Sequence, residues 1–235
     1  MNFCLLSLVF GVVASALLAP MFSPEEVEIT GESHHHAVFE NASIRVFSVE
    51  VAPHSDTEMH WHRHDYFMIT LGRTDILNEI QGKPPAEMKL QDGETRFSPA
   101  SFVHLVRNRS DQPFRNVTVE LLQDDKWRAH PAKWDEERGF DILHGGTRQI
   151  LFVEDGVRVT EFELQPGAMI PRHRHAGPHL LVAVSDLNFR SDVEGKGIIS
   201  RQFKSGETKW VEGGFTHTLT NAGTQPAKFV TLEFP

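Results

Sequence analysis

Cysteine is almost absent from this chain: Cys4 is the only one in 235 residues. Without an N-terminal segment that carries it, the protein has no thiol, no disulfide and no cysteine nucleophile. Clustered Lys and Arg are also missing and the net charge is −9. This excludes a nucleic-acid partner or an anionic membrane surface for the mature protein, because both need concentrated positive charge. There is no low-complexity tract, and helical periodicity is scarce. The one stretch with any helical character, Lys126 to Arg138, supports no more than a short turn.

The N-terminus differs from the rest. Phe3 to Leu18 is nearly all apolar, Ala14-Ser15-Ala16 supplies the small residues of a signal-peptidase site, and Pro20 stops any helix soon after. The expectation is a signal peptide over residues 1–20, a mature chain starting near Leu17, and a secreted or periplasmic protein. The alternative is an uncleaved anchor, since no Lys or Arg precedes the apolar run.

What the chain has in abundance is itself. A shift of 113 carries His60 to His173, His62 to His175 and His104 to His217. The same shift pairs Phe39 with Phe152, Arg45 with Arg158, Pro53 with Pro166, Gly93 with Gly206, Asn108 with Asn221 and Glu120 with Glu233. Unrelated sequences agree by composition at roughly one position in fifteen to twenty. The repeat unit is domain-sized, so the chain reads as a tandem duplication with domains over 34–125 and 147–235.

Each half is written in short runs of alternating polarity broken by Gly, Pro, Asn and Asp, the pattern of antiparallel strands. Ser43 to Val51, Val157 to Leu164 and Phe229 to Phe234 alternate with period two. Phe67 to Leu71 and Leu180 to Val184 are continuous apolar runs, as in strands buried on both faces. Turns are expected at Gly72-Arg73, Asp92-Gly93, Ser205-Gly206 and Gly213-Gly214. The resulting fold class is all-β, two barrels joined by a connector.

Residues two apart on a strand share a face, so His173 and His175 point into the barrel while Arg172 and Arg174 point out. His179 can return on the next strand, and His217 arrives from one distant in sequence. Converging neutral imidazoles suit a divalent transition metal, Fe, Mn, Ni, Cu or Zn, and not Mg or Ca.

The spacing Gly167, five residues, His173-x-His175, three residues, His179, followed by Gly206, His217 and Asn221, resembles the two motifs of the cupin superfamily. The resemblance covers both halves, so the chain resembles a bicupin. It implies tandem jelly-roll barrels, each with one divalent metal held by the motif histidines and a glutamate. On that resemblance His173, His175 and His217 take the histidine roles, and His179 stands where the glutamate is usual. In the first half His60, His62 and His104 take them; the glutamate position is Tyr66 and the leading glycine is His54. His64 is an added metal-ligand candidate, and a first site that has lost its metal is an open alternative.

Other histidines read as ordinary. His54, His130 and His144 are expected to be hydrogen-bonded core residues, and His34-His35-His36 to be an exposed incidental run. Arg45 with Glu120 and Arg158 with Glu233 are expected to form salt bridges, and Asn108 and Asn221 to serve turn geometry. For acid–base chemistry the nominees are Tyr66, Glu58 and Asp65. The partner is a small-molecule substrate, and a homodimer is an open option. The resemblance favours a metal-dependent, dioxygenase-like oxidoreductase; isomerase or lyase chemistry by Lewis acidity, and a secreted metal-dependent binding protein, are the alternatives.

Overall fold

A computed structural model describes residues 26–123 and 140–235, with the side chains of 140–142 excepted. The expected signal peptide with Cys4, and the connector with His130, lie outside the described residues. In the first half the strands are β1 Val27–Glu28, β2 His35–Glu40, β3 Ile44–Val51, β4 His60–His62, β5 Tyr66–Leu71, β6 Thr74–Ile80, β7 Ala86–Leu90, β8 Thr95–Ser98, β9 Phe102–Asn108 and β10 Phe114–Leu121. In the second they are β11 Phe140–Glu154, β12 Val157–His175, β13 His179–Ala183, β14 Leu187–Val193, β15 Gly197–Phe203, β16 Thr208–Val211, β17 Phe215–Asn221 and β18 Ala227–Glu233. Among the described residues the only helical element is a single 3-10 turn, Ile29–Gly31.

The first barrel closes from two facing sheets, β1-β4-β9-β6-β7 and β2-β3-β10-β5-β8. Apart from the parallel β1–β4 pair, the second has the same strand pairing written as one sheet, because β12 runs 19 residues and serves both faces. Its first part pairs with β18 over Arg158–Leu164 and its last part with β17 over Met169–His175. Those two parts correspond to β3 and β4, which the segment from Ala52 to Met59 separates in the first barrel.

The duplication extends to backbone irregularities. β2 slips register against β3 between Ala37 and Phe39, and β11 slips against β12 between Ile150 and Phe152, each 113 residues on. Gly167 has φ 80°, and its counterpart His54 adopts φ 54° with a side chain attached. The turn needs a left-handed residue there, and glycine supplies that without a Cβ penalty. On this surface turn the His54 side chain is 63% exposed, and His144 is exposed as well, so neither is the core residue expected.

The strand faces that alternation predicted as inward form the cores. One cluster crosses between the barrels, joining Val46, Phe67, Ile69, Val119 and Leu121 to Val159, Leu180, Val182, Leu232 and Phe234. Fully burying such side chains contributes about 1.5–3 kcal/mol each, which makes the contact between the barrels part of the hydrophobic core. Polar contacts across it repeat the internal symmetry: Arg115 donates to the Ser205 carbonyl at 3.1 Å, and Lys228 to the Asp92 carbonyl at 2.8 Å. Residues 115 and 228, like 92 and 205, differ by 113, so the two barrels face each other as an isologous pair does.

Two further expectations hold. Arg45 donates to Glu120 at 3.2 Å and Arg158 to Glu233 at 2.7 Å, directly opposite each other in their ladders. The Asn108 and Asn221 amides each donate to a carbonyl in the following turn and to one on a strand distant in sequence, Asn221 to Gln225 and Leu164 at 2.9 Å.

Candidate metal centres

Alternation at the end of β12 buries His173 and His175 partly and leaves Arg172 and Arg174 exposed. His217 sits directly opposite His173 across the β12–β17 ladder. The three Nε2 atoms form a triangle with sides of 3.0, 3.1 and 3.2 Å. In the first barrel His60 faces His104 across β4 and β9, and the Nε2 atoms of His60, His62 and His104 lie 3.0, 3.1 and 3.2 Å apart.

The far side of the rings explains which nitrogen faces inward. His60 Nδ1–H donates to the Glu58 carbonyl and His173 Nδ1–H to the Pro171 carbonyl, both at 2.8 Å. His104 Nδ1–H donates to Asn78 Oδ1 at 2.7 Å, and His217 Nδ1 meets Ser191 Oγ at 2.8 Å. Glu58 and Pro171, and likewise Asn78 and Ser191, are 113 apart, so the supporting shell is duplicated with the ligands. At His60, His104 and His173 the acceptor oxygen sets the tautomer and leaves the Nε2 lone pair for a metal, while His62 Nδ1 is buried without a hydrogen-bond partner.

These triangles fit a divalent transition ion. Three lone pairs turned toward one point repel unless a cation lies among them. Perpendicular bonds of roughly 2.1 Å separate three nitrogens by about 3.0 Å, whereas a tetrahedral set needs about 3.4 Å. Burial, first of all, keeps the rings neutral: it lowers His60 to about 4 and His217 to about 3, and pushes His62 and His104 well below the usual histidine value. Neutral imidazole is the ligand form.

In neither half does the residue at the motif's fourth position stand among the closely grouped donors. His179 is buried and lies flat on His175, centroids 4.1 Å apart at 24°, and the closely grouped donors are His173, His175 and His217. Tyr66 stacks on His62 in the same way, at 4.1 Å and 23°. Burial raises the Tyr66 hydroxyl to about 12. His64 is half-buried and belongs to neither group, because β4 ends at His62 and the alternation that aims His60 and His62 inward stops there.

The exposed-run expectation for His34-His35-His36 is corrected at His35. Its side chain is 7% exposed, its ring lies 4.7 Å from that of His60, and it groups with His60 and His62, though not with His104, with donor atoms within 4.8 Å of one another. Its Nδ1 meets Glu32 Oε2 at 2.6 Å. The His35 position shares a run with two neighbours of the same type, and only the pairing of β2 with β3 turns it inward. The nearest sequence cue is Glu32, and it bonds His34 as well as His35.

The nominated acid–base residues are all in the first barrel, and none lines the large cavity of the second. Asp65 is buried and accepts the Ala100 N–H at 2.5 Å. Glu58 is exposed and accepts the Ser33 N–H at 3.2 Å. Tyr66 lines a void of about 30 Å³ beside His35, His60, His62 and His104, about the room of a single water. The second triad opens into a cavity of about 900 Å³, walled by Leu181, Phe189, Phe215 and Phe229 and edged by Arg148, Arg201 and Lys209. Glu233, only 16% exposed, reaches that cavity with Oε1 3.6 Å from His175 Nδ1 and Oε2 held by Arg158.

Two tandem all-β barrels, each with a histidine triangle at the same place, define a bicupin, and the chain has that fold. Among solved structures it is similar to Bacillus subtilis oxalate decarboxylase, studied for its Mn(II) centres, with TM-score 0.58, 11% identity, 86% of this chain and 75% of that one covered. Vicilin from tomato gives TM-score 0.62 and 12% identity over 81% of this chain and 74% of that one. AerE from Microcystis aeruginosa gives TM-score 0.58 and 10% identity over 84% of this chain and 95% of that one. Neither a family model nor a curated protein sequence matches the chain.

Proposed function

We propose that this bicupin is a metal-dependent enzyme acting on a small organic acid, with the second barrel as its catalytic half. The observation that carries the reading is the unequal room at two otherwise duplicated sites: about 900 Å³ at the second triad and about 30 Å³ at the first. Catalytic metal sites keep open positions for water and substrate, and structural sites are closed. A divalent transition ion held by His173, His175 and His217 supplies Lewis acidity and, if it is Fe, Mn, Cu or Ni, a redox couple as well.

The residues of the chain supply the rest. Arg148, Arg201 and Lys209 give positive charge to the cavity edge of a protein whose net charge is −9, which favours a substrate bearing a carboxylate or enolate. Glu233, fixed by Arg158, orients His175 from behind. Glu194 and Glu212 are the remaining carboxylates at the cavity and the groups placed to move a proton there. The aromatic and aliphatic wall excludes water from the substrate's apolar part. Dioxygenase-like chemistry is the preferred reaction class, and the oxalate decarboxylase likeness adds decarboxylation of a small acid to those worth assaying.

The test is a screen of metal-reconstituted protein against small hydroxy, keto and dicarboxylic acids, following oxygen uptake and carbon dioxide release together. Turnover with oxygen consumption that chelation abolishes and metal restores supports the reading. Turnover without oxygen consumption assigns non-redox chemistry, and turnover indifferent to full demetallation overturns the metal dependence.

A further inference from the structure

Glu32 is a buried carboxylate with an unusual number of partners. Its side chain is fully buried, Oε2 accepts from His35 Nδ1 at 2.6 Å and from the His34 N–H at 2.9 Å, and Oε1 accepts from His34 Nδ1 at 2.7 Å and the Glu58 N–H at 3.1 Å. Burial works against its charge, but the hydrogen bonds from His35 and His34 win and hold it well below the usual carboxylate range. Four donors thus converge on its two oxygens in the wall of the first barrel, and its shortest contact is to His35.

That contact decides what His35 can offer. With Nδ1–H given to Glu32, Nε2 is left as a lone pair, the same arrangement that the Glu58 carbonyl imposes on His60 and Asn78 on His104. The ring of His35 packs edge-on against Phe47 at 5.8 Å and lies 4.7 Å from the His60 ring and 6.2 Å from that of His62. It lines the same small void as the triad. In the second barrel the same register position is Arg148, a cation that cannot serve as a metal ligand, and Gly145 stands where Glu32 does.

Resting on the reading of the histidine triangles as metal centres, we infer that His35 is the fourth donor of the first site, positioned by Glu32, and that this donor closes the site as a structural one. The donor comes from the strand preceding the motif, and it compensates for a motif position occupied by Tyr66, whose phenol is turned to stacking on His62. A carboxylate–histidine–metal relay of this kind raises the basicity of the ligand and fixes its orientation.

The experiment uses full-length His175→Ala protein, in which the second site is disabled, titrated with Co(II) while the visible absorption of the bound ion is recorded. One tightly bound Co(II) is expected in the first site. Adding His35→Phe, which keeps a ring against Phe47 and His60 but has no nitrogen, is expected to weaken Co(II) binding at least tenfold and to change the spectrum. Glu32→Gln is expected to weaken it by about tenfold, the scale on which second-shell partners act. Equal melting temperatures for the metal-free proteins check that the fold survives; if His35→Phe does not fold, His35→Gln is titrated in its place. Unchanged affinity and spectrum in the His35 variant overturn the inference while leaving the triad reading intact. Failure of the His175→Ala protein itself to bind Co(II) overturns the metal reading of the first site.

Discussion

Arg148 and His35 hold one and the same place in the two barrels. Arg148 pairs with Phe162 as His35 pairs with Val49, and both members of the second pair lie 113 residues on. At this position the duplicated sites part company: an imidazole over a void of about 30 Å³ in one, a guanidinium at the edge of a cavity of about 900 Å³ in the other. A guanidinium suits recognition of a carboxylate, since its fork of N–H donors matches two oxygens. Arg148→Ala is expected to weaken binding of small carboxylates to the Mn-loaded protein about tenfold, or about 1.4 kcal/mol, with metal content unchanged. Titration calorimetry beside elemental analysis checks both halves of that statement, and undiminished carboxylate affinity rules out the role.

His175 belongs to the open site, with Nε2 3.0 Å from His173 and 3.2 Å from His217. His175→Ala is expected to lose the second-site metal and to melt lower than the wild type when metal is present. An ion at a hundred times its dissociation constant stabilises by about 2.7 kcal/mol, so the difference between the two proteins should shrink on chelation. A variant that retains two equivalents of metal contradicts the assignment.

At His54 the first repeat uses a left-handed backbone with a side chain on it, where the second uses Gly167. The His54 side chain is 63% exposed, and its contact with Asp111 lies on the surface. His54→Gly is expected to stabilise the protein by up to about 1 kcal/mol by relieving the Cβ clash. Chemical denaturation decides it, and a loss of stability shows that the Asp111 contact or the added chain entropy outweighs the relief.

The metal-free protein is expected to weaken on acidification. Burial lowers His60 to about 4 and His179 and His217 to about 3 in the folded state, while the unfolded chain titrates near 6.5. Between those values the unfolded chain binds more protons, so stability is greatest above about 6.5 and falls as pH drops toward 3. Metal release follows the same direction, because protonated imidazole cannot ligate. Urea midpoints in chelator at pH 7.5, 6 and 5 measure the effect, and a flat profile speaks against buried neutral imidazoles.

Features that are local or periodic were legible along the chain. Period-two runs such as Val157 to Leu164 became strands, the 113-residue shift became two barrels with matched bulges, and His-x-His on one strand face became two corners of each triangle. Strand alternation and turn chemistry act over a few residues, so they are legible in one dimension. Tertiary structure alone decided what depends on packing from elsewhere in the chain. It turned His35 inward and left its neighbours His34 and His36 partly or fully exposed, laid His179 flat on His175, ended β4 before His64, and put Tyr66, Glu58 and Asp65 in or around a barrel with no room for a substrate. The volume beside a metal site is set by side chains from several strands meeting at a distance, and no spacing along the chain encodes it.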